Sequence, residues 1–177
     1  MTTNIHPIIV HFPIALFLTG FALDVIGHLF QRETLKRVGL ILIVLGALGA
    51  LAAMLSGQLA EESVEERLSG AGERVLDTHE DLGKLTAYLL LAIAAIRLIL
   101  AASWLSRWRW AAGAALAIYF IAGVLGVGAL TATGYYGGEL VYRYGAGVQL
   151  SQPALGSSGD QTTLPLPPPG RDDDDDD

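Results

Sequence analysis

The sequence contains no cysteine. That single absence excludes disulfides, iron–sulfur clusters, zinc ribbons, c-type haem attachment and thiol catalysis. Charge is scarce as well. Asp, Glu, Lys and Arg make up 16% of the 177 residues, against about 25% in an ordinary soluble domain. Six of the 18 acids are Asp172 to Asp177, so the formal net charge of −7 overstates the acidity of the folded part. No basic face is present for nucleic acid. Catalytic signatures are missing too: there is no Gly-x-Ser-x-Gly elbow, no phosphate-binding Gly-rich loop ending in Lys-Ser/Thr, and no His-Glu-x-x-His. Ser56, Ser63 and Ser69 have no evident base partner.

What is abundant is apolar surface. Hydrophobic residues form 52% of the chain, and the mean hydropathy is +0.47. A disordered chain is poor in such residues, and a water-soluble globule would carry more charge. An integral membrane protein is the class that fits. A bilayer core of about 30 Å takes roughly 20 apolar residues per helix. Four stretches are long enough: about 11–30, 38–59, 82–105 and 110–132. Short polar turns, Gln31 to Arg37 and Ser106 to Arg109, join the first to the second and the third to the fourth. Short connections make antiparallel neighbours. The expected fold is therefore all-α, an integral membrane four-helix up-down bundle, with a domain over 1–150 and a Pro-rich, poly-Asp tail over 151–177. Four spans do not accommodate the inverted repeats of a transporter. The first span lacks a basic n-region and a small-residue cleavage site, so it is expected to stay as a span.

Orientation follows from Lys and Arg. Arg32, Lys36 and Arg37 crowd one short turn, and Arg107 and Arg109 the other, with Arg97 close by. The connection between the second and third spans also holds basic residues, Arg67 and Arg74 among them, diluted by eight acids: Glu61, Glu62, Glu65, Glu66, Glu73, Asp77, Glu80 and Asp81. Both short turns are expected in the cytoplasm, and both termini with the long acidic connection outside. Trp104, Trp108 and Trp110 would form an interfacial belt. Gly46, Gly49 and Ala53, with Gly113, Gly123, Gly126 and Gly128, mark helix faces suited to close contact. Asp24 and Arg97 are ionisable groups at membrane depth, which are costly. Each lies near the cytoplasmic end of its span rather than at mid-bilayer, which favours snorkelling to the surface or pairing with the other over a proton relay. Beyond Ala132 a glycine- and tyrosine-rich stretch, Gly134 to Val148, reads as a short amphipathic segment on the outer surface.

The whole histidine set is His6, His11, His28 and His79. His28 is expected alone at the inner interface. His6, His11 and His79 meet at one depth, because the first and third spans start on the same side. Two imidazoles facing each other across a bundle make the simplest axial pair for haem b and need no cysteine. His11 and His79 are the expected pair, with His6 as substitute or second-site ligand. Tyr135, Tyr142 and Arg143 would lie near the haem propionates. Two other readings stand beside this one: interfacial histidines that only hydrogen-bond to backbone or water, and a divalent-metal site built from His79, Glu80 and Asp77.

Three motifs carry a family resemblance. Ile5-His6-Pro7-Ile8-Ile9-Val10-His11-Phe12-Pro13-Ile14-Ala15-Leu16 resembles the opening signature of the bacterial four-helix membrane-protein family known as domain of unknown function 2231. Thr78-His79-Glu80-Asp81-Leu82-Gly83 is similar to its central histidine motif, and Tyr136 to Val148 to its closing motif. The three occur in the expected order across residues 5 to 148. The resemblance implies four transmembrane helices and, in many members, the company of redox modules such as Rieske or cytochrome c domains. It places the family's motif histidines at His6, His11 and His79, and it implies an electron-transfer setting. The expected function is a small b-type cytochrome-like electron carrier that works with other redox or membrane-complex subunits. The alternative is a cofactor-free accessory subunit of a membrane complex. Neither is a catalyst. The tail from Ser151 departs from the family core.

Overall fold

The computed structural model describes residues 5–65, 68, 70–102 and 109–147. Five helices follow one another: α1 (His6–Ile9), α2 (His11–Leu29), α3 (Glu33–Glu65), α4 (Ala71–Ala101) and α5 (Arg109–Tyr144). Four helical stretches are long and apolar enough to cross a membrane, the first of them formed by α1 and α2 together. Leu18, Leu48, Leu98 and Ile121 are among many large apolar side chains left exposed on the outside of the bundle, where lipid satisfies them.

The helices outrun the expected spans. The acidic connection between the second and third spans is largely helix, because α3 continues to Glu65 and α4 already begins at Ala71. Glutamate, the commonest acid there, is a good helix former. Likewise, the glycine- and tyrosine-rich stretch after Ala132 is no separate amphipathic segment. It continues α5 without a break to Tyr144, since its glycines are interspersed with residues that pack on α4. Gly145, at φ +67°, then closes the helix, its N–H donating to the Val141 carbonyl. The α2–α3 turn closes tightly on Gln31, at φ +53°. Arg32 N–H donates to Gly27 O at 2.8 Å, and the Gln31 side chain donates to His28 O at 2.7 Å. Trp104 and Trp108 of the expected aromatic belt, the tail from Ser151, and most of the Ser106–Arg109 turn lie outside the described residues.

Two antiparallel hairpins make the bundle. In the first, α2 and α3 meet backbone to backbone. A methyl group on Gly20 would come 2.9 Å from Ile43 N, one on Gly39 2.8 Å from Asp24 N, and one on Gly46 2.9 Å from Phe17 N. Small residues permit this approach in lipid, where packing rather than the hydrophobic effect drives association. In the second hairpin, α4 and α5 pair through Leu90 and Ile93 against Gly126, and through Thr86 Oγ1 and Thr133 Oγ1 at 2.9 Å. The expected small-residue faces are thus only partly used: Gly46, Gly49, Gly123 and Gly126 pack internally, while Gly113 and Gly128 face open space.

The hairpins join along α3 and α4, with α2 and α5 touching more sparingly. The diagonal helices α2 and α4 run in the same direction, and no Cα of one comes within 8 Å of the other among the described residues. The core between them holds Phe17, Phe21, Ile43, Leu90, Ile93 and Tyr119. Phe17 and Phe21 stack at 6.0 Å between ring centroids, and Tyr119 meets Phe21 edge-on.

Candidate functional site

Two polar centres lie at opposite ends of this bundle. At one end, α1 and α4 bring His6 and His79 together, with ring centroids 6.4 Å apart and ring planes at 79°. Each imidazole is held from behind. Ser56 Oγ donates to Ala53 O at 2.9 Å, so its lone pair accepts from His6 Nδ1 at 3.0 Å. His79 Nδ1 donates to the Thr133 carbonyl at 3.0 Å. Both rings, when neutral, therefore carry the proton on Nδ1 and the lone pair on Nε2. That is how ligating histidines are commonly oriented by a backing acceptor. Glycine makes space for each ring: a methyl on Gly57 would meet His6 Cε1 at 3.1 Å, and one on Gly137 would meet His79 Cε1 at 2.9 Å.

The remaining expected ligands are placed elsewhere. His11 is exposed on α2 and spends its Nδ1 proton on Pro7 O at 2.6 Å. Five residues from His6 to His11, with a break in the helix at Val10, put the two rings in different surroundings. His6, not His11, is the histidine that meets His79. Tyr142 is 92% exposed. Arg143 reaches back to Glu139 at 3.0 Å, and with Tyr135, Gly134 and Gly138 they line a shallow notch on the outer face of α5. Of the divalent-metal set, Glu80 is occupied by Lys84, 2.6 Å away, and Asp77 is exposed. Among the described residues no three His, Asp or Glu side chains group as metal ligands.

The second centre is buried. Asp24 is 0% exposed and Arg97 6%. Arg97 Nε donates to both Asp24 oxygens, at 3.1 and 3.0 Å, and Nη2 donates to Oδ1 at 2.8 Å. Tyr119 OH donates to Asp24 Oδ2 at 2.8 Å, and Arg97 Nη2 also reaches the Lys36 carbonyl at 3.3 Å. Helices α2, α3, α4 and α5 thus all supply atoms to one knot. Of the two alternatives for Asp24 and Arg97, pairing is the one adopted, for snorkelling would leave the Tyr119 hydroxyl buried without an acceptor. His28 joins the edge of the knot. Its Nδ1 donates to Asp24 O at 2.8 Å and lies 3.5 Å from Asp24 Oδ2, while its ring meets Phe120 edge-on at 5.4 Å.

Sequence reasoning missed Ser56, Thr133 and Tyr119. In the sequence Ser56 reads only as a nucleophile lacking a base, whereas in the fold it is an acceptor that fixes a histidine tautomer. Tyr119 offers one usable signal: a lone polar handle in the middle of an apolar span.

No curated protein and no solved structure matches the chain. A family model described as a predicted membrane protein (DUF2231) matches residues 2–150. That range contains the four membrane-spanning stretches, both polar centres and all four histidines. The chain therefore belongs to the DUF2231 family of membrane proteins.

Proposed function

We propose that this protein is a small electron-transfer subunit of the bacterial inner membrane, resembling a b-type cytochrome, in which His6 and His79 would be the axial ligands of a haem. The supporting observation is the His6–His79 pair itself. Two imidazoles from different helices stand at one level, 6.4 Å apart between centroids. Both Nδ1 atoms donate to protein acceptors, so the donor set fits an iron that takes two neutral imidazoles. When bound, the haem would supply one-electron chemistry. The chain's own part is to hold His6 through Ser56, to hold His79 through Thr133, and to keep glycine beside each ring so that neither is displaced.

In this reading the histidine end and both termini face the periplasm, and the partners are redox subunits that exchange electrons there or with membrane quinone. The protein carries electrons and catalyses no reaction by itself.

The test is an absorption spectrum of detergent-solubilised protein expressed with ample haem. A dithionite-reduced α band is expected, lost in His79→Ala and in His6→Ala and retained in His11→Ala and His28→Ala. A parent protein without the band would overturn the proposal. The reading left would then be a cofactor-free accessory subunit, in which the two histidines bridge helices. The same hydrogen bonds favour that reading, since no buried side-chain N or O atom among the described residues lacks a partner.

A further inference from the structure

The diagonal helices α2 and α4 have no backbone approach to each other among the described residues. Yet the His6–His79 pair requires α1, which continues into α2, to stand at a fixed level against α4. Each hairpin is closely packed within itself, the first through backbone contact at Gly20, Gly39 and Gly46, the second through Gly126 and the Thr86–Thr133 bond. The register of one hairpin on the other is set where they meet, along α3 and α4 and at the polar knot. Hydrogen bonds from Arg97 and Tyr119 cross between the hairpins and converge on the Asp24 carboxylate and Lys36 O. The apolar packing along α3 and α4 is non-directional. A buried bidentate guanidinium–carboxylate contact adds direction, because its geometry is specific and a shift leaves charge unpaired.

We propose that Asp24, Arg97 and Tyr119 are positioning residues for the histidine pair: from the opposite end of the bundle they fix the register of the α1–α3 hairpin on the α4–α5 hairpin, and so the separation of His6 from His79. The consequence for a haem rests on the reading under Proposed function. The register itself does not.

The experiment uses the full chain, whose lack of cysteine lets spin labels be placed by single substitutions. One pair of labels goes across the hairpins at the exposed Phe12 and Leu85, a second within the first hairpin at the exposed Phe12 and Leu55. Pulsed electron paramagnetic resonance then reads both distances. The background variants are Asp24→Asn with Arg97→Gln, which removes both charges together, and the milder Tyr119→Phe. The expected result is a broadened or shifted Phe12–Leu85 distribution in either background, with Phe12–Leu55 as narrow as in the parent. Should the doubly neutralised protein not fold, Tyr119→Phe carries the test alone. An unchanged Phe12–Leu85 distribution in the folded variants overturns the positioning role, whatever the spectrum shows. Broadening of both pairs overturns it too, because a general loosening is not a loss of register. A parent without a haem band sinks only the haem reading, and the distances are still read.

Discussion

At the scale of single residues, the buried ion pair makes a sharp asymmetry. Removing one partner leaves the other as an unpaired charge in a dry interior, which costs about 3–5 kcal/mol, whereas removing both is far milder. Arg97→Ala is therefore expected to lower the thermal midpoint in detergent severely, and Asp24→Asn with Arg97→Gln much less. Equal losses would show that the charge itself is not what matters. Glycine supplies a second contrast. Gly39→Ala would drive a methyl to 2.8 Å from the Asp24 backbone nitrogen, so overpacking is expected to cost about 1–3 kcal/mol. Gly128 has nothing within 4 Å, so Gly128→Ala is expected to leave the midpoint unchanged or raise it slightly, alanine being the better helix former. Chemical or thermal unfolding of the two variants side by side checks both signs.

At the scale of the element, the spans are legible in the sequence because lipid demands continuous apolar helix, and a soluble fold seldom needs a run of about 20 such residues. Their ends are not. Hydropathy stops at the membrane surface, while α3 and α4 continue through Glu61, Glu62, Glu65 and Glu73, where helix propensity and water take over. The histidine site is half legible for a related reason. The level of His6, His11 and His79 follows from topology, but which of His6 and His11 faces α4 depends on the break at Val10, and periodicity does not reveal it. The Asp24–Arg97 contact is visible only as one of two possibilities, since nothing in the sequence shows that Tyr119 completes it. Sidedness can be measured directly. With the basic α2–α3 turn inside, a cysteine at Glu73 is expected to react with a membrane-impermeant maleimide in intact cells, and one at Arg32 only after lysis. The reverse pattern would put His6 and His79 on the cytoplasmic side.

For the molecule as a whole, the last described helix ends at Tyr144, and the family match ends at residue 150. Because the family match stops short of this Pro-rich, poly-Asp tail, deleting Ser151–Asp177 is expected to leave the thermal midpoint unchanged and, on the proposed function, any haem band too, while weakening co-purification of the subunits proposed there. Unfolding on truncation would place the tail in the core. The knot that joins the hairpins also has a history within each newly made chain. Asp24 and Arg97 are 73 residues apart. At a synthesis rate of about 5–20 residues per second, the aspartate waits roughly 4–15 s for its partner. Through that interval the first hairpin sits in the bilayer with a carboxyl not yet paired to a guanidinium, at a cost below the roughly 2.5–3.5 kcal/mol of a mid-bilayer aspartate because Asp24 lies near the end of its span. A ribosome that stalls before α4 emerges thus leaves the Asp24 carboxyl without the guanidinium that pairs with it in the finished chain.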